Sequence, residues 1–311
     1  MDADAPNAPR HAPYDGSSKP FTIGLRPLDL AQWIEVDDAL ASYLAEKSRL
    51  FASLPSQVFV EEPASRAAQR EVLDLLVDHL PRRHPDRYRL AKDAVEIVGV
   101  ERVPLGESGP PLAVAARLVQ EDLVLMRRDT AGWRLTAASL CFPSSWTLRE
   151  KFGRPLGEIH APVPGFGAGT RTATLIERIF DKLQPAQPVQ RFNWSLQAGD
   201  ALYHPLSGLE REDRAAARPA RFGSEAALGA AFIRVERQTL RKLAFTGDIL
   251  FTIRIYLDPL SVLARHPDRR QLATSFATQL SAMSAAELDY KGLAADRDRL
   301  VGRLRDLAAF A

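Results

Sequence analysis

The spacing of apolar residues predicts amphipathic helices near both ends of the chain. Between residues 28 and 51, and again between 71 and 80, apolar positions recur at the helical period. Pro81 is expected to end the second of these helices, because proline lacks the backbone N–H that a helix uses. Further helices are predicted over residues 147–152, 170–183, 272–280 and 285–309.

A different period marks the strands. Residues 118–126 and 133–140 are predicted to form a hairpin, because the RRDTAG segment between them supplies the Asp and Gly that such turns favour. Three more strands are predicted over residues 192–196, 231–240 and 249–257, and the last two alternate with a period of two. The pattern as a whole predicts an α+β protein with an antiparallel sheet.

The last predicted strand has polar residues where a buried strand would be apolar. One of its faces carries Phe251, Ile253 and Ile255, and the other carries Thr252, Arg254 and Tyr256. Buried charged groups need partners, so the second face indicates either a polar cavity or a buried ionic network. In the preceding strand, Arg234, Glu236 and Gln238 share a face, although a solvated sheet surface gives the same pattern.

Composition and charge narrow the classes of function. The 311 residues are 46% hydrophobic, and 41 basic residues balance 39 acidic ones, so no basic face for nucleic acid is expected. No apolar run approaches the roughly 20 residues of a membrane span, and we expect a cytoplasmic protein. The single cysteine, Cys141, excludes an internal disulfide, a four-cysteine zinc site and a cysteine-ligated iron–sulfur cluster on this chain alone.

Among the six histidines, His160 has the most distinctive surroundings. The segment GEIHAPVPGFG is expected to hold it in a rigid, extended loop between prolines, a suitable mount for a metal ligand. No other ligand stands at metal-binding spacing, which disfavours zinc, whereas a haem needs only one protein ligand. On residue type alone, a histidine that is merely hydrogen-bonded in a tight loop is the more common case.

Five segments taken together resemble the haem-dependent oxidative N-demethylase alpha-subunit family, also described as dimethylamine monooxygenase-like. They are LCFPSSW (140–146), KFGRPLGEIHAPVP (151–164), RFNW (191–194), RVERQTLRKL (234–243) and TGDILFTIRIYLDPL (246–260). The resemblance runs from about residue 20 to about residue 285.

This resemblance implies a PAS-like fold, in which an antiparallel sheet flanked by helices holds haem b through a histidine. It also implies that electrons come from NADPH through a separate flavin and iron–sulfur reductase. His160 lies in the matching segment and is the implied axial iron ligand. The resemblance implies a haem-binding catalytic domain over residues 21–285. Composition predicts a disordered tail over residues 1–20, which are rich in Pro, Ala, Asp and Ser, and the helical pattern predicts a C-terminal helical cap over 286–311.

Strand geometry suggests roles for the other candidates. Arg191 and Arg254 are suited to hold the haem propionates. Glu236 and Tyr256 would offer a carboxylate and an aromatic face to a small cationic amine. The expected reaction uses O2 to convert a small secondary amine to a primary amine and formaldehyde.

Two alternatives stay open at this point. A PAS-like haem domain could sense a gas without turnover, although the chain carries no coiled-coil or DNA-binding output motif. A thiolate-ligated haem would use Cys141 instead, but the resemblance places the histidine segment at the iron, and a lone cysteine is more often buried and inert.

Overall fold

The computed structural model describes residues 8–106, 109–130 and 132–309. The helices are α1 (Leu40–Ser53), α2 (Pro55–Val58), α3 (Arg66–Arg83), α4 (Pro111–Ala116), α5 (Leu148–Lys151), α6 (Leu156–His160), α7 (Arg171–Lys182), α8 (Gly208–Ala217), α9 (Glu225–Gly229), α10 (Arg269–Ala282), α11 (Ala285–Lys291) and α12 (Arg297–Ala309). The strands are β1 (Arg26–Pro27), β2 (Phe59–Glu61), β3 (Tyr88–Leu90), β4 (Ala94–Ile97), β5 (Glu101–Pro104), β6 (Asp122–Asp129), β7 (Gly132–Ser139), β8 (Val189–Ala198), β9 (Ala231–Lys242) and β10 (Ile249–Pro259).

One antiparallel sheet organises the chain. Within the described residues, seven strands lie in the order β1-β8-β9-β10-β6-β7-β2, and a separate small sheet has the order β3-β4-β5. The long strands β8, β9 and β10 pair along nearly their whole length. The predicted α+β class, with an antiparallel sheet flanked by helices, is therefore confirmed.

Side chains alternate between the two faces of this sheet and enter different cores. On β10, Ile253 and Ile255 pack with residues of α6 and α7, whereas Leu250 packs with α1 and α3. Val235 and Tyr256 pack instead with α10, α11 and α12. The face that carries Ile253 is the one that the short helices α5 to α7 cover.

Most predicted elements are confirmed, with shifted ends. The 118–126 and 133–140 hairpin appears as β6 and β7, and the Thr170 side chain caps α7 by accepting a hydrogen bond from the N–H of Ala173. The prediction that Pro81 ends a helix is wrong: α3 continues to Arg83. Pro81 lies in the last turn, where its missing N–H removes only one helical hydrogen bond.

Three regions differ from the sequence-based expectation because their signals are short. The small β3–β5 sheet and helices α4, α8 and α9 were not predicted. The continuous helix expected over 285–309 is two helices, interrupted after Lys291 by Gly292 in the left-handed region. α12 packs on α10 within the same core as the main sheet.

The N-terminal segment was expected to be a disordered tail over residues 1–20. Residues 1–7 lie outside the described part of the chain, but residues 8–20 pack against the domain. Tyr14 is fully buried and stacks on Phe276 at 4.5 Å, and the backbone carbonyl of Ser18 accepts a hydrogen bond from Gln279. Tyr14, together with the contacts of Arg10 and His11 to Glu35, thus anchors a segment whose composition is otherwise typical of disorder.

Because Tyr14 fills a closed site, Tyr14→Ala should lower the free energy of unfolding by about 3 kcal/mol. Urea denaturation of the apoprotein measures this loss. Phe245 is 93% exposed, and Phe245→Ala is the matched control, expected to change stability by less than about 0.5 kcal/mol. A Tyr14→Ala variant as stable as the control would show that residues 8–20 are not anchored in solution.

Candidate functional site

A cavity lies between the sheet and helices α5 to α7. Its volume is about 270 Å³, close to the lower end of the roughly 300–1,000 Å³ of ordinary ligand pockets. The sheet wall is polar in the middle and apolar around it, and it is formed by Arg191, Asn193, Glu236, Gln238, Leu240, Phe251 and Ile253. The helical wall is formed by Leu156, Ile159, His160, Val163, Phe166, Ile176 and Phe180.

His160 is the last residue of α6, and its side chain lines the cavity. The expectation of an extended loop is corrected here, since the residues after Pro155 form a short helix before the turn at Pro162. Among the described residues, no group hydrogen-bonds to the imidazole. Burial, together with the nearby Lys151 and Arg191 cations, lowers the pKa of His160 to about 4. The ring is therefore neutral at pH 7 and has a lone pair available for a metal.

Lys151 fixes the end of the helix that carries His160. Its ammonium group donates a hydrogen bond to the carbonyl of Ile159 at 2.6 Å and lies 5.3 Å from the centre of the Trp146 ring. Burial lowers the pKa of Lys151 to about 8. The lysine satisfies a carbonyl that the end of α6 leaves free, and it also contributes positive charge beside the imidazole.

Arg191 and Glu236 face the cavity from neighbouring strands. Glu236 accepts hydrogen bonds from Gln238 at 2.8 Å and from Asn193 at 3.4 Å. Arg191 makes no direct ion pair among the described residues, although the Glu236 carboxylate attracts it at longer range, and its Nε atom is buried without a hydrogen bond. Burial lowers the pKa of Arg191. An arginine left in this state is prepared for an anion that arrives with a ligand.

Arg254 and Tyr256 lie on the opposite face of the sheet from the cavity. The guanidinium group of Arg254 pairs with Asp37 at 2.7 Å and sits between the rings of Tyr43 and Tyr256, at 4.3 and 4.6 Å. The Tyr256 hydroxyl donates a hydrogen bond to Glu35. The sequence left open whether the polar face of β10 lines a cavity or forms a buried ionic network, and the network is observed. The structure therefore does not bring Arg254 and Tyr256 to His160.

The same network includes Arg237, which lies opposite Arg254 on the neighbouring strand. Arg237 pairs with Glu35 at 3.1 Å and donates to the carbonyl of Trp33 at 3.0 Å. Acidic residues of the 33–39 segment thus compensate two adjacent buried arginines, as buried charge requires.

Two further cationic side chains at the cavity donate hydrogen bonds to backbone carbonyls. β1 pairs with only the start of β8, so the carbonyl groups along the rest of this sheet edge need hydrogen-bond donors from elsewhere. Lys291 donates to the carbonyl of Trp194, and Arg221 donates to the carbonyl of Leu196 at 3.1 Å. Burial lowers the pKa of Lys291 to about 8 and that of Arg221 to about 10.

Cys141 is fully buried and does not line the cavity. Burial and the adjacent Asp122 carboxylate raise the pKa of its thiol to about 12, so a thiolate is disfavoured there. Within the part of the chain that the structure describes, no group of three or more His, Cys, Asp or Glu side chains could hold a metal ion. No helix of these residues is long and apolar enough to cross a membrane.

A comparison with protein families identifies the chain. The family described as haem-dependent oxidative N-demethylase, alpha subunit-like, matches residues 24–301. The chain belongs to this family. Haem-dependent oxidative N-demethylases are oxidoreductases of the monooxygenase class, and the match reaches from just before β1 into α12, beyond the expected boundary at residue 285.

The residues of this N-demethylase family member fit a haem in three respects. The cavity lining is mainly apolar, which suits a macrocycle. His160 offers a neutral imidazole without a competing hydrogen bond among the described residues. Arg191 offers a buried guanidinium atom with no partner, which suits a propionate.

Sequence reasoning missed several cavity residues of the N-demethylase, among them Phe21, Lys151 and Tyr290. Lys151 is in the matching segment with His160, and this proximity is a signal that could have identified it. Phe21 and Tyr290 come from opposite ends of the chain, and no spacing in the sequence relates them to His160. Only the packed fold brings them together.

Because the two arginines have different surroundings, their loss should affect stability differently. Arg254→Leu leaves the Asp37 carboxylate without its main partner and should lower the free energy of unfolding of the apoprotein by about 3 kcal/mol. Arg191→Leu should cost less than about 1 kcal/mol, since it removes no ion pair among the described residues. Urea denaturation at pH 7 compares the two variants, and equal losses would contradict the division between network and cavity.

Proposed function

We propose that this chain is the haem b subunit of a cytoplasmic monooxygenase that removes a methyl group from a small secondary amine such as dimethylamine, forming a primary amine and formaldehyde. The observation that carries the proposal is a neutral, unpartnered His160 across the cavity from a sheet wall whose polar centre includes a carboxylate. A family of haem-dependent oxidative N-demethylases supplies the reaction type.

A PAS-like description of the fold belongs to the same proposal, and strand order supports it. The β6–β7 hairpin precedes the helical segment α5 to α7, and strands β8, β9 and β10 follow it. In the sheet, β10 returns to lie beside β6, so the first and last strands of this unit are central neighbours. The helical segment between the two groups of strands carries His160, and the sheet forms the opposite wall.

Each proposed role follows from the surroundings of a side chain. His160 would hold the haem iron, and Arg191 would pair with a propionate. When bound, the haem supplies the activation of O2 and the oxidation of the methyl group. Glu236 is the carboxylate of the cavity wall, and it would hold the amine as a cation. The apolar residues around it would limit water at the site.

Electrons are proposed to come from NADPH through a separate flavin and iron–sulfur reductase. The chain has a single cysteine, which is buried, and so it cannot itself provide the ligands of an iron–sulfur cluster. This supports a separate reductase. The proposal requires that a reductant of this class sustain turnover.

The central test supplies haem and a reducing partner to the purified protein and measures formaldehyde release from dimethylamine. The wild type should bind haem with a histidine-ligated spectrum and release formaldehyde. His160→Ala should lose at least about 90% of its haem or its histidine-ligated absorption, because one neutral imidazole provides the protein–iron bond. Haem and gas binding without formaldehyde would favour a sensor, and an unchanged spectrum in His160→Ala would exclude this ligand.

Glu236→Gln keeps the shape of the side chain and removes its charge. The apparent Kd for dimethylamine should rise about 10-fold, the loss expected for one hydrogen bond to a charged group. Titration of the haem absorption with the amine measures this change, while an unchanged histidine-ligated spectrum shows that the haem site is intact. Glu35→Gln, on the other face of the sheet, is the matched control. An amine affinity equal to that of the wild type would exclude Glu236 from recognition.

A further inference from the structure

Tyr290 is a cavity residue with an unusually well fixed backbone. It lies near the end of α11, whose start is closed by a capping box between Ser284 and Glu287. Arg214 donates to the carbonyl of Tyr290 at 2.9 Å, and the next residue, Lys291, is tied to the edge of β8 through Trp194.

The helix ends at Gly292 for two reasons. This residue has a φ of 64°, in the left-handed region that favours glycine. A Cβ atom at this position would also come within 2.8 Å of Nε of Arg214, the residue that holds the Tyr290 carbonyl. The geometry of the chain around Tyr290 therefore depends on contacts from α8, the β8 edge and the glycine together.

The ring of Tyr290 is oriented as firmly as its backbone. It packs edge-to-face against Phe21, with ring centres 5.8 Å apart. Phe21 has a φ of 56°, in the left-handed region that residues other than glycine seldom adopt. The N-terminal segment therefore bends sharply and places this ring at the cavity. Phe21 and Tyr290, from the two ends of the chain, thus form one aromatic corner of the cavity.

The hydroxyl of Tyr290 has no hydrogen-bond partner among the described residues, although the surrounding contacts fix the side chain. Burial raises the pKa of Tyr290, and the Glu236 carboxylate raises it further, so the group is a neutral phenol at pH 7. The hydroxyl is therefore free to bond a ligand in the cavity that Tyr290 lines. In contrast, the Tyr256 hydroxyl on the other face of the sheet is satisfied by Glu35.

We propose that Tyr290 is a specificity-determining residue that accepts a second hydrogen bond from the amine bound at Glu236. This inference rests on the proposed function. A secondary ammonium ion has two N–H groups, and two acceptors in one cavity match them. A tertiary ammonium ion has a single N–H, which Glu236 alone satisfies. The pair of side chains therefore selects secondary over tertiary methylamines.

The test titrates the haem-loaded protein with dimethylamine and with trimethylamine and follows the haem absorption. Tyr290→Phe should raise the apparent Kd for dimethylamine about 10-fold and that for trimethylamine less than about 2-fold, so the selectivity between the two amines falls. Tyr256→Phe is the matched control and should leave both affinities unchanged. Haem content and the thermal midpoint of each variant show that folding and haem binding are retained.

The outcomes separate this inference from the function on which it rests. Unchanged affinities in Tyr290→Phe, or equal losses for the two amines, would overturn the role of Tyr290 and leave the N-demethylase proposal standing. If the wild type gives no response to either amine and forms no formaldehyde, the proposed function itself fails, and this inference fails with it. A selective loss for dimethylamine, with normal haem content, would support both.

Discussion

The antiparallel pairing of β9 with β10 is the constraint on which the rest of the structure depends. The two strands run side by side from Ile249 opposite Lys242 to Pro259 opposite Phe232. Because side chains alternate, this one register sends Arg237 and Arg254 to one face and Glu236 and Ile253 to the other. A shift of β10 by one residue would place Arg254 in the cavity and turn Ile253 toward the face that carries Glu35 and Asp37.

The two faces use charge in opposite ways. On one face, Arg237 and Arg254 have acidic partners from the 33–39 segment, and the result is a closed ionic network that holds α1 and its preceding loop to the sheet. On the other face, Arg191 makes no direct ion pair among the described residues. The paired charges hold the scaffold together. In contrast, the Arg191 guanidinium, which has no direct ion pair, and the His160 imidazole, which has no hydrogen-bond partner among the described residues, mark the place of a ligand.

The long strands, the hairpin and helix α7 could be predicted from the sequence because their periodic patterns are long and their turn residues are distinctive. The candidate site could be predicted only in part. The period of two shows that Arg254 and Tyr256 share a face of β10, but it cannot show which face borders the cavity. The sequence-based prediction placed these residues in the cavity, whereas they lie on the opposite face of the sheet. Tyr290 carries no local signal, because its position depends on Gly292 and on Arg214 from α8, a helix that the sequence pattern does not predict.

The contact between Phe21 and Tyr290 has a consequence for the order in which the molecule is completed. The cavity's sheet and histidine come from the middle of the chain, but the aromatic corner needs both termini in place. Contacts between such distant residues form late, since the entropy of closing the long loop must be overcome first. During synthesis, therefore, the sheet can assemble while the cavity is still open to solvent on this side.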